Sequence, residues 1–599
     1  MKDIFFHSKI SSVVKVFVTG IGVFITGSFI IFCGREKYPV VDYDQTLDTL
    51  IVPGDWLIHH ELSDPDILNP ITSRGASSDY ILGFIFETLM STDNHTLELK
   101  PFMALSLPTI STDQKTYIYR LRQDVRFSDG HLLTGDDLLF SVKVIKNPYV
   151  DGAPLRSYYQ SLKDVTFIGG DPFYLKFVCE EPYFKNDELL GGIPILPKHL
   201  YDPRGLLDSI QVSQFRDTLV LKNEKVRRFG EEFNRNDLNR HPLGSGAYQF
   251  LSWETNQQIM LARHESWWHK GDPEAPNYLE RIIFRTINDM DAALVALKNQ
   301  DLDIIAGLKP IQYTKQTESR KFEKKFRKTS NVIPVYTYIG WNQERPFFAD
   351  SRVRWAMSYL TDVPRIIEVV MQGLAVPVTG PIFYKRTEYD TTLPSIQYNL
   401  SQAVALLNES DWQDHDGDGI REKVVNGEKI NFVFTFLINS GNEQRKQIGL
   451  ILSEELKKVG IKAAVRELEW SVFLNEIEDH HFDATILGWA MGLDKPDPYQ
   501  IWHSSQVMNR GSNAISFKHK GADSLLELNR RTFDEKKRIN LMRQFQHIIY
   551  NEQPYTFLFS PLSLVAVHKR FRNITWYPFR PGYDLHEWGV PRSMQRYTQ

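Results

Sequence analysis

The segment that most constrains the fold is the run 339–381, where an apolar strand is followed by two helices with readable start signals. Asp350 can cap the first helix, because its carboxylate can accept hydrogen bonds from the unpaired N–H groups of the first turn. The apolar residues that follow keep the spacing of one buried helix face. They are Val353, Ala356, Met357 and Leu360. Asp362 can cap a second helix, which tolerates Pro364 in its first turn and which Gly373 can end.

The alternation of strands and helices recurs along the chain and predicts an α/β fold. An apolar strand at 434–437 precedes a helix whose apolar face carries Ile448 and Leu452, and a further strand begins after Gly460. Strand–helix–strand units of this kind are typical of α/β lobes. A chain of 599 residues is longer than one hydrophobic core usually supports, so we expect two or three lobes.

The composition of the chain indicates which kinds of binding partner to expect. The net charge of −4 gives no reason to expect nucleic acid, because a domain that binds phosphates normally carries a basic surplus. Aromatic residues are plentiful, with 26 Tyr, 37 Phe and 12 Trp. Most are expected in the core, but such a surplus also suits a protein that encloses a ligand. Cys179 ends the apolar run 174–179 and is predicted to be a buried free thiol.

The N-terminus has the plan of an export signal or a membrane anchor. A basic stretch precedes an almost uncharged run at 16–32, and Cys33 follows it directly. The cysteine suggests cleavage and lipidation, but Phe32 stands where a lipoprotein signal normally has a small residue. A lipoprotein, an uncleaved anchor and a released protein therefore remain open. In each case the residues after 33 face outside the cytoplasm, and the polar stretch 34–54 is predicted to be a tether.

One block of sequence resembles a known family signature. Residues 117–141 read YIYRLRQDVRFSDGHLLTGDDLLFS. Asp129 and Gly130 form a turn, and Thr134 caps a helix with acids in its first turn. The block resembles the signature of the family 5 extracellular solute-binding proteins, the dipeptide- and oligopeptide-binding subunits of ABC importers. Further blocks, including 242–248, 339–381 and a strand followed by a helix at 80–90, fall in the family's order between about residues 55 and 585.

The resemblance implies a two-lobed, type II periplasmic-binding-protein-like fold with a hinge, in which one lobe is split into two subdomains. In the implied organisation, residues 1–33 are an export signal or anchor and residues 34–54 are a tether. The core of lobe I is formed by residues 55–85, 240–330 and 550–599, and residues 86–239 form its subdomain. Lobe II is formed by residues 331–549. The implied function is capture of a peptide between the lobes by hinge closure.

The implied protein is a monomer without a cofactor that delivers its peptide to the permease subunits of an ABC transporter, held to the membrane by an N-terminal lipid or helix. The alternative within the family is a non-peptide solute, namely a nickel chelate, haem, a sugar or an opine. The alternative from another class is a surface-anchored enzyme. HExxH, P-loop and GxSxG motifs are missing from the sequence, which favours a binding protein.

The loop after the strand 482–486 is the best candidate for ligand contact. In peptide-binding relatives the matching loop carries an aspartate that pairs with the α-ammonium of the ligand, and Asp494 is the closest match. Asp497 is the second candidate, and either can instead be a plain turn acid. Other residues are expected near the cleft, with core or loop packing as the alternative for each. They are Trp489, Trp502, Tyr338, Asn342 and Asn439.

An acidic loop offers a possible calcium site. Asp414, Asp416 and Asp418 place carboxylates at alternate positions, as in the first half of an EF-hand loop. Position 12 of that pattern is Val425 rather than a glutamate, and Glu422 can substitute only in part. The alternative is a structural turn built from aspartate and glycine.

Overall fold

The computed structural model describes residues 50–492 and 495–597. The predictions for the N-terminal signal, Cys33 and the tether up to residue 49 lie outside the described residues, as does Asp494. Within the part of the chain that is described, no helix combines the length and the apolar character needed to cross a membrane.

The strands are distributed over the whole described chain. The first are β1 Ile51–Val52, β2 Trp56–Glu61, β3 Met90–Thr92, β4 Leu99–Pro101, β5 Thr109–Ile110, β6 Thr116–Arg120, β7 Leu162–Phe167, β8 Tyr174–Cys179, β9 Tyr248–Glu254, β10 Gln258–Arg263 and β11 Arg281–Thr286. The others are β12 Ile304–Ala306, β13 Phe326–Val332, β14 Val335–Trp341, β15 Ala375–Pro377, β16 Glu422–Val425, β17 Glu428–Asn431, β18 Val433–Asn439, β19 Lys462–Leu468, β20 Ala484–Ala490, β21 Tyr555–His568 and β22 Val590–Pro591.

Helices alternate with these strands. The first are α1 Ala76–Leu82, α2 Gly135–Lys146, α3 Ala153–Arg156, α4 Asn186–Gly191, α5 Lys198–Tyr201, α6 Glu224–Asn234, α7 Met290–Lys298 and α8 Arg320–Lys325. The others are α9 Ser351–Tyr359, α10 Val363–Val369, α11 Leu400–Glu409, α12 Glu443–Lys457, α13 Trp470–Glu478, α14 Tyr499–Trp502, α15 Lys520–Arg531 and α16 Glu535–Glu552.

A sheet of twelve described strands runs through both lobes. Its order is β19-β18-β20-β14-β21-β12-β2-β11-β10-β9, and β13 and β15 also pair with β21. Strand β21 joins the two halves: its first residues pair with β14, and its last residues pair with β12 and β13. The chain crosses a second time where β13 continues into β14. A hinge between lobes is usually formed by a few residues at such crossings.

The half of the sheet formed by β14, β18, β19 and β20 is covered on both faces. Successive residues of β14 point to opposite sides, so Ile339 and Trp341 enter one apolar core while Tyr336 and Tyr338 enter another. The other half, around β2 and β11, has its own core with α7. A separate four-stranded sheet, β5-β6-β8-β7, lies within the range 86–239.

Local start signals are confirmed. The Asp350 and Asp362 side chains cap α9 and α10 by accepting the backbone N–H groups of Arg352 and Arg365. Thr134 and Asp137 form a reciprocal capping box at the start of α2. Cys179 is a buried free thiol at the end of β8, as predicted.

The predicted helix at 80–90 is wrong in its position. The helix is α1, Ala76–Leu82. Beyond Gly83 the backbone forms hydrogen bonds with residues distant in the sequence. The carbonyl groups of Phe84 and Ile85 accept the N–H groups of Tyr248 and Gly246, respectively. These long-range hydrogen bonds outweigh the local preference for helix.

Candidate functional site

A large cavity lies between the two lobes, with a volume of about 1710 Å³. Pockets for drug-sized molecules usually measure about 300–1,000 Å³, so this space suits a longer ligand. One wall comes from β2, α1 and the segment near residue 583, and the other comes from β14, α12, α13 and β20. The lining includes Glu61, Arg74, Tyr338, Asn439, Arg445, Glu478 and Trp489.

Strand β20 presents an open backbone edge to this cavity. It pairs with β14 along its whole length, from Ala484 to Ala490. Its other neighbour, β18, pairs only with Ala484 and Thr485. Among the described residues, the edge beyond Thr485 therefore has no strand partner, and Leu487, Gly488 and Trp489 line the cavity there. An extended ligand can form main-chain hydrogen bonds with such an edge.

Arg445 supplies positive charge to the same cavity. It lies in the first turn of α12, which Asn442 caps, and its Nη1 donates to Asn439 Oδ1 over 2.6 Å. No carboxylate of the described residues forms an ion pair with it. Burial lowers the pKa of Arg445 to about 10, against the opposing effect of the nearby Tyr338, so the group stays charged at neutral pH. Because a helix N-terminus also favours anions, this corner is suited to a carboxylate.

The opposite wall offers polar groups already held by hydrogen bonds. Ser77 Oγ donates to Glu61 over 2.5 Å, and His59 Nδ1 lies 3.1 Å from a Glu61 oxygen. Burial raises the pKa of Glu61, but the hydrogen bonds from His59 and Ser77 outweigh it and leave the pKa below its usual range. His59 Nε2 in turn lies 2.7 Å from the hydroxyl of Tyr583. The carboxylate of Glu61 therefore places a negative charge on this wall of the cavity.

An ion pair joins two of the residues that line the cavity. Arg74 Nη1 lies 3.0 Å from Glu478 Oε2, and it donates to Asn475 Oδ1 over 3.1 Å. Arg510 Nε is 3.7 Å from the same Glu478 oxygen. Burial raises the pKa of Glu478 to about 7, although Arg74 and Arg510 oppose the shift. This carboxylate therefore links residues on two walls of the cavity.

Stability should depend on pH through Glu478. The folded protein holds this proton with a pKa of about 7 against an ordinary value of 4.5. The stabilisation that this proton gives to the folded protein is fully present below about pH 4.5, and it is lost as the pH rises through about 7. Between pH 5 and 7 the free energy of unfolding should fall by at most about 1.4 kcal/mol per pH unit through this group.

Urea unfolding at several pH values checks this expectation. The variant Glu478→Gln should flatten the slope, whereas Glu476→Gln, on the same helix but outside this contact, should leave it unchanged. Equal slopes for Glu478→Gln and the unmodified protein would show that Glu478 is not the titrating group.

A second contact between distant parts of the chain uses Asp497. Its side chain is buried and 2.7 Å from Arg530 Nη2, and it also accepts a hydrogen bond from the hydroxyl of Tyr183. The Arg530 guanidinium lies 3.8 Å from the ring centre of Tyr499 and donates to the carbonyl of Ser157 over 3.1 Å. Tyr183 and Ser157 belong to the range 86–239, and Asp497 and Arg530 to 331–549. We call this set of residues the latch.

The structure separates the predicted ligand contacts into two groups. Tyr338, Asn439 and Trp489 line the cavity, and Trp489 Nε1 donates to the Tyr555 hydroxyl over 3.3 Å. Met491 and Gly492, just before the undescribed Asp494, also line it.

Three other predicted residues lie outside the cavity lining. Asn342 is fully buried, and its Nδ2 donates to the Phe482 carbonyl over 2.8 Å. Trp502 is also fully buried, with its ring centre 4.6 Å from that of Tyr555. Asp497 is paired with Arg530 in the latch. All three side chains pack against or bind other residues of the protein. Their positions therefore give no support to a ligand contact by any of the three.

Sequence reasoning missed Arg445, Arg74 and Glu478. One local signal was available for Arg445, because an arginine in the first turn of a helix opposes the helix dipole and needs a reason. No local signal marks Arg74 or Glu478, since their pairing depends on how the lobes meet.

The acidic loop lies away from the cavity. Asp414, Asp416, Asp418 and Glu422 each offer a carboxylate oxygen, and these oxygens lie within 4.8 Å of one another. None of the four residues lines the interlobe space.

The hinged sheet and the interlobe cavity define the class of protein: a two-lobed solute-binding protein. The chain belongs to the bacterial extracellular solute-binding proteins, family 5, whose model matches residues 98–509. The oligopeptide-binding protein AppA of Bacillus subtilis (strain 168) is 28% identical over 544 residues, covering 90% of this chain and 92% of AppA.

Solved structures share this fold. The structure of AppA with a nonapeptide matches with a TM-score of 0.78 at 26% identity, covering 90% of this chain and 100% of that one. NikZ from Campylobacter jejuni, in complex with Ni(L-His), matches with a TM-score of 0.73 at 23% identity, again covering 90% and 100%. The second likeness shows that one fold serves chemically different ligands.

Proposed function

We propose that this protein captures peptides in the interlobe cavity by hinge closure and presents them to the permease subunits of an ABC importer. The observation that carries the proposal is the open edge of β20 in a cavity of about 1710 Å³ that Arg445 also lines. An extended peptide needs main-chain partners along its length and charged partners at its ends, and this cavity offers both. The similarity to AppA, an oligopeptide-binding protein, supports the same ligand class.

The peptide backbone pairs with the β20 edge beyond Thr485, and a carboxylate of the ligand pairs with Arg445. A charge-assisted hydrogen bond of this kind fixes the direction of the ligand as well as adding affinity. The proposal for Asp494 as the partner of the α-ammonium group stands on the family resemblance. Side chains of the peptide occupy the remaining space, where water can fill pockets that a small side chain leaves open.

Closure joins the lobes through the Arg74–Glu478 pair and the latch. A ligand that contacts both walls binds the closed form more tightly than the open form, and therefore shifts the population toward closure. The protein binds without turnover, and a permease recognises the closed shape. The protein acts as a monomer outside the cytoplasm, tethered to the membrane through its N-terminal region.

Isothermal titration calorimetry with peptides of three to nine residues tests the ligand class. We expect heat of binding from peptides and none from free amino acids, since a single residue cannot span the β20 edge and both walls. Ni(L-His) and haem are the comparison ligands. Binding of either one with no heat from any peptide would overturn the peptide assignment and leave the fold assignment intact.

A further inference from the structure

The acidic loop that begins at Asp414 lies outside the lining of the interlobe cavity. It connects the end of α11 with the hairpin of β16 and β17. Asp414, at the start of the loop, accepts the N–H groups of Gly417 over 2.7 Å and Gly419 over 3.0 Å. Both glycines have positive φ, +78° and +84°, which lets the backbone turn tightly around this carboxylate.

Glu422 provides the decisive observation. Its side chain is 4% exposed, and its Oε1 accepts the N–H of His415 over 2.8 Å. Its other oxygen, Oε2, is buried and has no hydrogen-bond partner among the described residues. A buried carboxylate oxygen without a partner costs free energy, and this residue belongs to the group whose oxygens converge within 4.8 Å. Glu422 therefore has a free carboxylate oxygen that could serve as a cation ligand.

The nearby lysine satisfies this need only in part. Lys429 Nζ donates to Asp416, but it is 3.8 Å from Glu422 Oε1, beyond hydrogen-bond distance. Arg421 is a second cation within electrostatic reach of Asp414, but its Nε donates to the carbonyl of Val459. Two cationic side chains therefore face four carboxylates.

We propose that Asp414, Asp416, Asp418 and Glu422 bind a calcium ion. Every donor is a hard oxygen, which suits calcium or magnesium rather than zinc. Four carboxylates favour calcium, because calcium accepts variable geometry whereas magnesium demands near-ideal octahedral geometry and retains its waters. Glu422 supplies the buried ligand from the first residue of β16, and Lys429 moves away from Asp416 when the ion binds.

The ion stabilises lobe II and leaves ligand binding unchanged. Arg421, beside Glu422, donates its N–H to the Gly460 carbonyl over 2.7 Å and its Nε to the Val459 carbonyl over 2.6 Å. The loop is thereby connected to the end of α12. Fixing the loop therefore fixes the junction between α12 and β19.

Thermal unfolding of the purified protein after chelation, with CaCl₂ or MgCl₂ added, tests the site. At about 5 mM calcium, above the dissociation constants of about 10⁻⁴–10⁻³ M common in extracellular modules, Tm should rise by several degrees. Magnesium should give a smaller rise. Glu422→Gln and Asp418→Asn should each weaken calcium binding at least tenfold by calorimetry, whereas Glu428→Gln, in the same hairpin but outside the cluster, should not.

The variant Lys429→Met separates a calcium site from a self-contained acid–lysine cluster. Loss of the competing ammonium should strengthen calcium binding, and calcium should restore the stability that this variant loses when the ion is absent. Asp418 is exposed, so Asp418→Asn still reports on the site if Glu422→Gln fails to fold. The proposal is overturned if calcium neither raises Tm nor releases heat, or if Glu428→Gln weakens binding as much as Glu422→Gln does.

Discussion

Asp497→Asn is expected to lower the free energy of unfolding by about 3 kcal/mol, the largest stability effect among the substitutions considered. The change keeps the shape of the side chain but removes the carboxylate charge that lies 2.7 Å from Arg530. Arg530 would then be a buried guanidinium without its ion-pair partner, and breaking a buried pair in this way typically costs about 3–5 kcal/mol. Urea unfolding followed by circular dichroism measures the change.

Two further variants show what the latch does. Glu467→Gln removes one partner of the more exposed Lys446–Glu467 pair and should cost less than about 1 kcal/mol. Tyr183→Phe removes only the hydroxyl that reaches Asp497 from the other range of the chain, so it should weaken ligand binding about fivefold through the closed form. An Asp497→Asn effect no larger than that of Glu467→Gln would contradict this description of the latch.

Arg445→Met is expected to weaken peptide binding about 30-fold, which corresponds to about 2 kcal/mol for losing one partner of a buried charge pair. Methionine keeps much of the length and apolar packing of the stem, so the substitution chiefly removes the charge. Calorimetry with a peptide and with its C-terminal amide forms a double-mutant cycle. Amidation should weaken binding to the unmodified protein but should make little difference to Arg445→Met.

The adjacent Lys446→Met is the matched control for this experiment. Lys446 pairs with Glu467 at the surface over 2.8 Å, so its loss should leave peptide affinity within about twofold. If Arg445→Met and Lys446→Met bind peptide equally well, Arg445 is not the ligand's charge partner. If Arg445→Met binds weakly but amidation weakens it further by the same factor, Arg445 contacts another group of the ligand.

Features set by neighbouring residues were predictable from the sequence. The caps at Asp350, Asp362 and Thr134 are hydrogen bonds within one helical turn, and the spacing of residues alone indicates them. The family resemblance rests on the order of such local blocks. It gave the α/β class and the two-lobed fold without any knowledge of distant contacts.

Features set by distant residues were not predictable in this way. Asp497 is a reasonable loop acid in the sequence, but its partner Tyr183 is 314 positions away. Asn342 follows an apolar strand, as a cleft residue can. Its side-chain amide nevertheless donates a hydrogen bond to the carbonyl of Phe482, 140 positions along the chain. The displaced helix near residue 80 has the same cause. In each case long-range hydrogen bonding decided the outcome.

The identity of the ligand retained by the protein is the most direct test of peptide capture. The protein would be purified from its native host without denaturation, and the released ligand would be identified by mass spectrometry. We expect peptides of several residues, bound one per protein chain, whose dissociation lowers Tm. Recovery of a nickel chelate, haem, a sugar or an opine in their place would contradict the account.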